Sequence, residues 1–170
     1  MIQADPVPTV ALTTLGCKLN AAETLTIGKQ FLDRGYSVVE FGEQADVCVI
    51  NTCSVTSRAD RECRQLIRRA RRAAPAGVVV VTGCYVQLNP EQAASMGEVD
   101  YLLGTREKFS LFDHVESLER RAVPLVAVGD ISDADDFGPA FSTEAGSRTR
   151  AFLKVQDGCD YTCSFCTIAG

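Results

Sequence analysis

Three times within the first 84 residues, a short apolar, β-branched run ends at a cysteine: TVALTTLGC at Cys17, DVCVINTC at Cys53 and VVVVTGC at Cys84. Such runs read as buried strands. Helix-spaced segments stand between them. Strands that are apolar on both faces and alternate with helices predict an α/β fold, a parallel sheet with helices on both faces. The carboxyl ends of all strands in such a sheet share one edge, where ligands bind. The three cysteines are therefore expected to converge.

The strand predictions are Val10–Leu15, Ser37–Val39, Asp46–Asn51, Val78–Val81 and Val99–Leu103. Asn20, with Glu23 three residues on, reads as the capping box of a helix through Leu32, stopped by Gly35. Ser57 reads as the cap of a helix through Ala73, stopped by Pro75 and Gly77. Pro90 opens a short helix, and Thr105 caps a last one through about Leu118. Residues 8–121 form one domain in this reading. Residues 122–150 form a linker, in which Asp130, Asp133, Asp135 and Asp136 mix with glycine, proline and serine. Residues 151–170 begin a second domain with a strand at Ala151–Val155.

The chain has 170 residues and eight cysteines. No apolar run is long enough to cross a bilayer, and the start lacks the basic segment of a secretory signal. A cytoplasmic location is the default expectation. Cysteines at this density in a reducing compartment read as metal or redox ligands before disulfides. A single histidine, His114, leaves little for a His general base or a His-rich zinc site.

Cys159, Cys163 and Cys166 stand in a C-x3-C-x2-C spacing directly after the Ala151–Val155 run. Three thiolates on one tight loop can hold three irons of a cubane cluster. The fourth iron is then open to a chelating ligand, and S-adenosylmethionine (SAM) offers an amino and a carboxylate group. Structural zinc is the competing reading, but zinc wants four protein ligands and no fourth lies nearby. Cys17, Cys53 and Cys84 suit a second such cluster. The alternative for these three is small buried residues in strand–helix turns. Cys48, inside an apolar strand, and Cys63, at helical spacing with Leu66, Ile67 and Ala70, read as core.

Arg58, Arg61, Arg64, Arg68, Arg69, Arg71 and Arg72 crowd one predicted helix, although the formal net charge is −5. The helix reads either as a contact for nucleic-acid phosphates, with Arg64, Arg68, Arg69 and Arg72 as candidates, or as a solvated face partly balanced by Asp60 and Glu62.

The motifs TLGCKLN, NTCSVTSRAD with RQLIRRA, VTGCY, and RAFLKVQDGCDYTCSFC resemble the radical SAM methylthiotransferases, and GCKLN, SVTSRAD and RQLIRRA are most similar to the threonylcarbamoyladenosine tRNA branch. The resemblance implies a Rossmann- or flavodoxin-like N-terminal domain, followed by the first strand and cluster loop of a radical SAM (β/α) barrel. It implies two [4Fe-4S] clusters: an auxiliary one on Cys17, Cys53 and Cys84, and a SAM-binding one on Cys159, Cys163 and Cys166. Phe165 would lie beside the adenine of SAM. The implied reaction places a methylthio group on C2 of N6-threonylcarbamoyladenosine at position 37, next to the anticodon. The implied partners are the tRNA anticodon loop and an electron donor such as flavodoxin or ferredoxin, with no membrane. Family alternatives are isopentenyladenosine in tRNA and an aspartate of a ribosomal protein. A non-catalytic iron–sulfur or RNA-binding module is a further alternative. Only the start of the barrel falls within the chain, so this stretch is expected to be inactive alone, with a poorly ordered cluster loop.

Overall fold

A computed structural model describes residues 6–54, 56–114 and 117–131, together with Lys154, Tyr161, Cys163 and Ser164. Strands β1 (Thr9–Thr14), β2 (Ser37–Val39), β3 (Val47–Thr52), β4 (Val78–Gly83), β5 (Tyr101–Leu103) and β6 (Leu125–Ala127) form one sheet in the order β2-β1-β3-β4-β5-β6. Every neighbouring pair is parallel. The helices are α1 (Lys18–Leu32), α2 (Ser57–Ala73), α3 (Cys84–Leu88), α4 (Pro90–Ala94) and α5 (Leu111–His114), with a 3-10 turn at Glu107–Phe109. The predicted α/β fold class is the observed one.

The sheet is covered on both faces, and β3 shows why. All six of its residues are buried, and successive side chains point to opposite faces. Val47 and Val49 pack with Ile27 and Phe31 of α1. Cys48 and Ile50 pack with Cys63, Ile67 and Ala70 of α2. Fully burying one such aliphatic side chain contributes about 1.5–3 kcal/mol, so the doubly covered centre of the sheet carries much of the stability. Cys48 and Cys63, 1% and 0% exposed, are core residues as expected.

The edge of the sheet at the amino end of β5 is locked by ions. Asp100, 1% exposed, accepts from Arg71 Nη2 at 2.6 Å, from Val79 N at 2.8 Å, from Arg121 N at 2.9 Å and from Arg120 Nε at 3.1 Å. Arg71 also donates to the carbonyls of Gly77 and Glu98. This arginine of the basic helix is therefore structural.

Several local expectations are corrected. The cap of α1 is Cys17, without a side-chain capping bond. Asn20 lies within the first turn and donates instead to the carbonyls of Leu15 and Thr52, at 3.0 and 2.9 Å. Glu23 is buried against lysine, so the predicted capping box does not form. The cap of α2 is Thr56 rather than Ser57, its Oγ1 accepting from Ala59 N at 3.1 Å. The single helix predicted from Thr105 to about Leu118 is a 3-10 turn and the short α5. Helix α3 has no counterpart among the predicted elements. β6, within the stretch assigned to the linker, extends the sheet by pairing Leu125, Val126 and Ala127 with β5. Its run is only three residues long, and Pro124 precedes it, which is why it reads as loop.

Candidate metal centre

The chain steps outward from β1 to β2 and returns to β3 on the other side of β1, so the strand order reverses between β1 and β3. Ligands of parallel α/β sheets sit at such a switch point, at the carboxyl ends. The register places Thr14 opposite Asn51, and Asn51 opposite Thr82. Cys17 follows that row by three residues, and Cys53 and Cys84 each by two. All three predicted auxiliary ligands thus leave one edge from adjacent strands.

Two glycines set the approach. Gly16 has φ +118° and Gly83 has φ +98°, a region that residues with a Cβ rarely adopt. A Cβ on Gly16 would lie 2.6 Å from Cys53 Cβ and 3.1 Å from Cys53 Sγ. The Cys17 turn therefore rests directly on the Cys53 side chain. A Cβ on Gly83 would collide with the Thr52 carbonyl and with Asn51 Oδ1. Each glycine immediately precedes a cysteine; Gly16 lets its turn close onto the Cys53 side chain, and Gly83 lets its strand end close onto the Thr52 backbone.

Asn20 staples the same edge through its bonds to Leu15 O in the Cys17 turn and Thr52 O beside Cys53. The Cys17 thiol donates to Asn20 Oδ1 at 3.5 Å. Beneath lies a polar layer in which Asn51 Nδ2 donates to Asn20 O and Thr24 Oγ1, Thr14 Oγ1 donates to Thr24 Oγ1, and Thr52 Oγ1 donates to Thr82 O. Asn51 Oδ1 is buried and has no hydrogen-bond partner among the described residues.

Cys17 and Cys84 are exposed, whereas Cys53 is 8% exposed. Desolvation raises the Cys84 thiol above its usual range, and the neighbouring Cys53, Cys17 and Glu23 push the same way, while the Lys108 ammonium opposes them. The Cys84 thiol thus lies close enough to both other cysteines to feel them electrostatically. Burial pushes Cys63 up to about 11, which keeps it a neutral thiol; its Sγ donates to the Cys53 carbonyl at 3.2 Å.

Among the described residues, no three His, Cys, Asp or Glu groups stand close enough to share a single metal ion. A cubane makes a looser demand, since each thiolate takes its own iron. The donor set suits such a cluster: thiols only, at three adjacent strand ends. The nearby carboxylate of Glu23 is tied up by lysine. The first-turn N–H groups of α1, left without a side-chain cap, face the same edge and favour an anionic occupant.

Of the predicted SAM-cluster residues, Cys163 is described and exposed. Cys159, Phe165 and Cys166, with the strand expected at Ala151–Val155, lie outside the described residues apart from Lys154.

The basic helix divides its arginines. Besides Arg71, Arg58 pairs with Glu62 at 2.8 Å, and Arg64 Nη1 reaches Gln92 Oε1 at 3.4 Å. Arg69 lies over the Phe41 ring and donates to its carbonyl. Arg68 is only loosely paired, 3.9 Å from Glu98. Arg69 and Arg72 line a groove of about 440 Å³ with Leu15, Glu62, Gln65 and Leu66. Leu15 is two residues from Cys17, so the groove adjoins the cysteine edge.

Residues 9–104 match the model of the uncharacterized protein family UPF0004. The chain belongs to that family. It is 42% identical over 162 residues to the threonylcarbamoyladenosine tRNA methylthiotransferase of Aquifex aeolicus, covering 94% of this chain and 39% of the relative. The enzyme of the same name from Bacillus subtilis is 42% identical over 164 residues, covering 94% and 36%. The ribosomal protein uS12 methylthiotransferase of Chloroflexus aurantiacus is 32% identical over 171 residues, covering 92% and 38%. The kinship is thus with the methylthiotransferases, and the chain spans somewhat over a third of the length of these relatives.

The sequence alone did not reveal three parts of the site. Asn20 looked like a cap because its spacing to Glu23 matches one. Gly16 and Gly83 looked only like strand ends. The buried Glu23 did carry a signal: it shares a helix face with Ile27 and Phe31, at four and eight residues, where an acidic residue needs a partner.

Proposed function

We propose that this chain is the auxiliary-cluster portion of a radical SAM methylthiotransferase that modifies C2 of N6-threonylcarbamoyladenosine at position 37 of tRNA. The observation that carries the reading is that Cys17, Cys53 and Cys84 each follow the carboxyl end of one of three adjacent parallel strands at the switch-point edge. The C-x3-C-x2-C loop and the names borne by similar relatives support it.

When bound, two [4Fe-4S] clusters and SAM supply the radical and the sulfur chemistry that an unactivated C–H position requires. The chain's own residues hold and orient. Cys17, Cys53 and Cys84 bind one cluster, with Gly16, Gly83 and Asn20 fixing the turns that present them. Cys159, Cys163 and Cys166 would hold the other, with one iron left open to SAM, and Phe165 would be the contact for its adenine. The electron donor is of the flavodoxin or ferredoxin type. Among the described residues, no helix is long and apolar enough to cross a membrane.

Deleting the gene and analysing tRNA nucleosides by mass spectrometry tests the substrate. The methylthio form of threonylcarbamoyladenosine is expected to vanish and return on complementation. An unchanged nucleoside profile, with loss of a methylthio group from ribosomal protein uS12, would instead support the protein-modifying reading that the Chloroflexus relative raises.

The exposed arginines of α2 contact tRNA phosphates in this reading. Arg68 and Arg72 are the cleaner test, because Arg69 also packs on Phe41. Reversing both charges in the full-length protein should weaken tRNA binding. It should also lower the slope of log K against log[salt] by about one unit for each phosphate no longer neutralised. A slope that does not change means the face is merely solvated.

A further inference from the structure

The groove beside the cysteine edge has a make-up that phosphate contact alone does not account for. Glu62, Gln65, Leu66, Arg69 and Arg72 line it from α2. They recur at steps of one, three and four residues, so they share one face of the helix. Leu15, just past β1, closes the other side. Leu15 and Leu66 are half-buried and give the groove an apolar lining. Its volume of about 440 Å³ falls within the range of small-ligand sites. From Leu15 to Cys17 is two residues of chain, a reach of at most about 7 Å.

The charges at the rim are uneven. Glu62 is already matched, its Oε1 accepting from Arg58 Nε at 2.8 Å. Arg72 is exposed, with no ion pair among the described residues. The groove is therefore cationic. Arg69 is exposed too, yet it is held. Its guanidinium carbon lies 5.4 Å from the centre of the Phe41 ring, and its Nη2 donates to Phe41 O at 3.4 Å. A Cβ on Gly42 would lie 2.7 Å from the same Nη2, so the missing side chain leaves that place to the arginine. An arginine on an open surface ranges through many rotamers. Here the loop after β2 holds its guanidinium. A guanidinium plane held by one face can stack a nucleobase on the other.

We propose that this groove seats one unpaired nucleotide of the tRNA loop, with its base stacked against Arg69 beside Leu15 and Leu66 and its phosphate paired with Arg72. The groove calls for a ligand that is flat and apolar in its body and anionic at one end, which a nucleotide is. A base inside a duplex is stacked on both sides and cannot enter, whereas a loop nucleotide can be splayed out. The seat holds the loop against the edge that bears Cys17. It rests on the tRNA reading, and it adds a contact to a base where that reading has contacts to phosphates.

Binding of an anticodon stem–loop RNA to the full-length protein, with the loop bases removed one at a time, provides the test. Removing a base keeps every phosphate, so the salt slope should not change. One loop position should cost the parent protein about tenfold in affinity. Arg69→Lys keeps the charge but lacks the plane. It should bind the intact RNA about tenfold more weakly at an unchanged salt slope, and removing that same base should then cost nothing further. Arg69 is exposed, so the lysine variant should melt at the temperature of the parent. Equal costs of base removal in the two proteins at every position would overturn the seat. So would an Arg69→Lys protein that binds the intact RNA as tightly as the parent. Either result leaves the tRNA reading standing if the methylthio nucleoside still vanishes on gene deletion. A full-length protein that does not bind the stem–loop at all, with methylthiolation lost from uS12 instead, would sink both.

Discussion

Full-length Cys53→Ala protein, reconstituted anaerobically with iron and sulfide, is expected to retain about four irons where the parent retains about eight. Cys17→Ala and Cys84→Ala should match it. The effect is large because three thiolates are the whole protein contribution to a cluster, so losing one leaves two irons without a protein ligand. Cys48→Ala and Cys63→Ala are the internal controls. Both thiols are buried in the core, 1% and 0% exposed, and both variants should keep about eight irons while losing some stability to a small cavity. A Cys53→Ala protein that still counts about eight irons would remove Cys53 from the ligand set.

The second large effect concerns folding. Asp100→Ala should cost about 3–5 kcal/mol, because it removes one member of a buried ion pair and leaves the other. Four donors lose their acceptor: the guanidinium groups of Arg71 and Arg120 and the backbone N–H groups of Val79 and Arg121. They are not equal. Arg120 is 42% exposed on its side chain and can turn to water, so its bond contributes little. The side chain of Arg71 is 14% exposed, and Val79 N is buried; these two dominate. For a domain of this size the loss corresponds to a fall in melting temperature of roughly 10–20 °C, measurable by circular dichroism on the metal-free protein. Arg120→Ala should shift it by only a few degrees. Equal shifts for the two variants would show that exposure does not decide the strength of these bonds.

The alternation of apolar runs and helices was legible because β3 and β4 are buried on both faces and so lack polar interruptions. That Cys17, Cys53 and Cys84 leave one edge of the sheet followed from the same pattern, since parallel strands share their carboxyl ends. Groups whose partners are distant in sequence were hidden. Asn20 obeys the local spacing of a cap, yet the Thr52 carbonyl, 32 residues away, makes the better use of its amide. β6 is invisible as an isolated run; it becomes a strand only because β5 offers a free edge. Arg71 looked like its neighbours on α2 until Asp100, 29 residues on, claimed it.

The bond from the Cys63 thiol to the Cys53 carbonyl has a mechanical result. Helix α2 starts at Ser57, four residues beyond Cys53, and Cys63, one and a half turns in, grips that residue's backbone from behind. The cationic helix and the turn carrying Cys53 are thus fastened at a second point besides the connection between them, so a substitution that removes the Cys63 thiol loosens the seat of Cys53 without touching the Cys53 side chain.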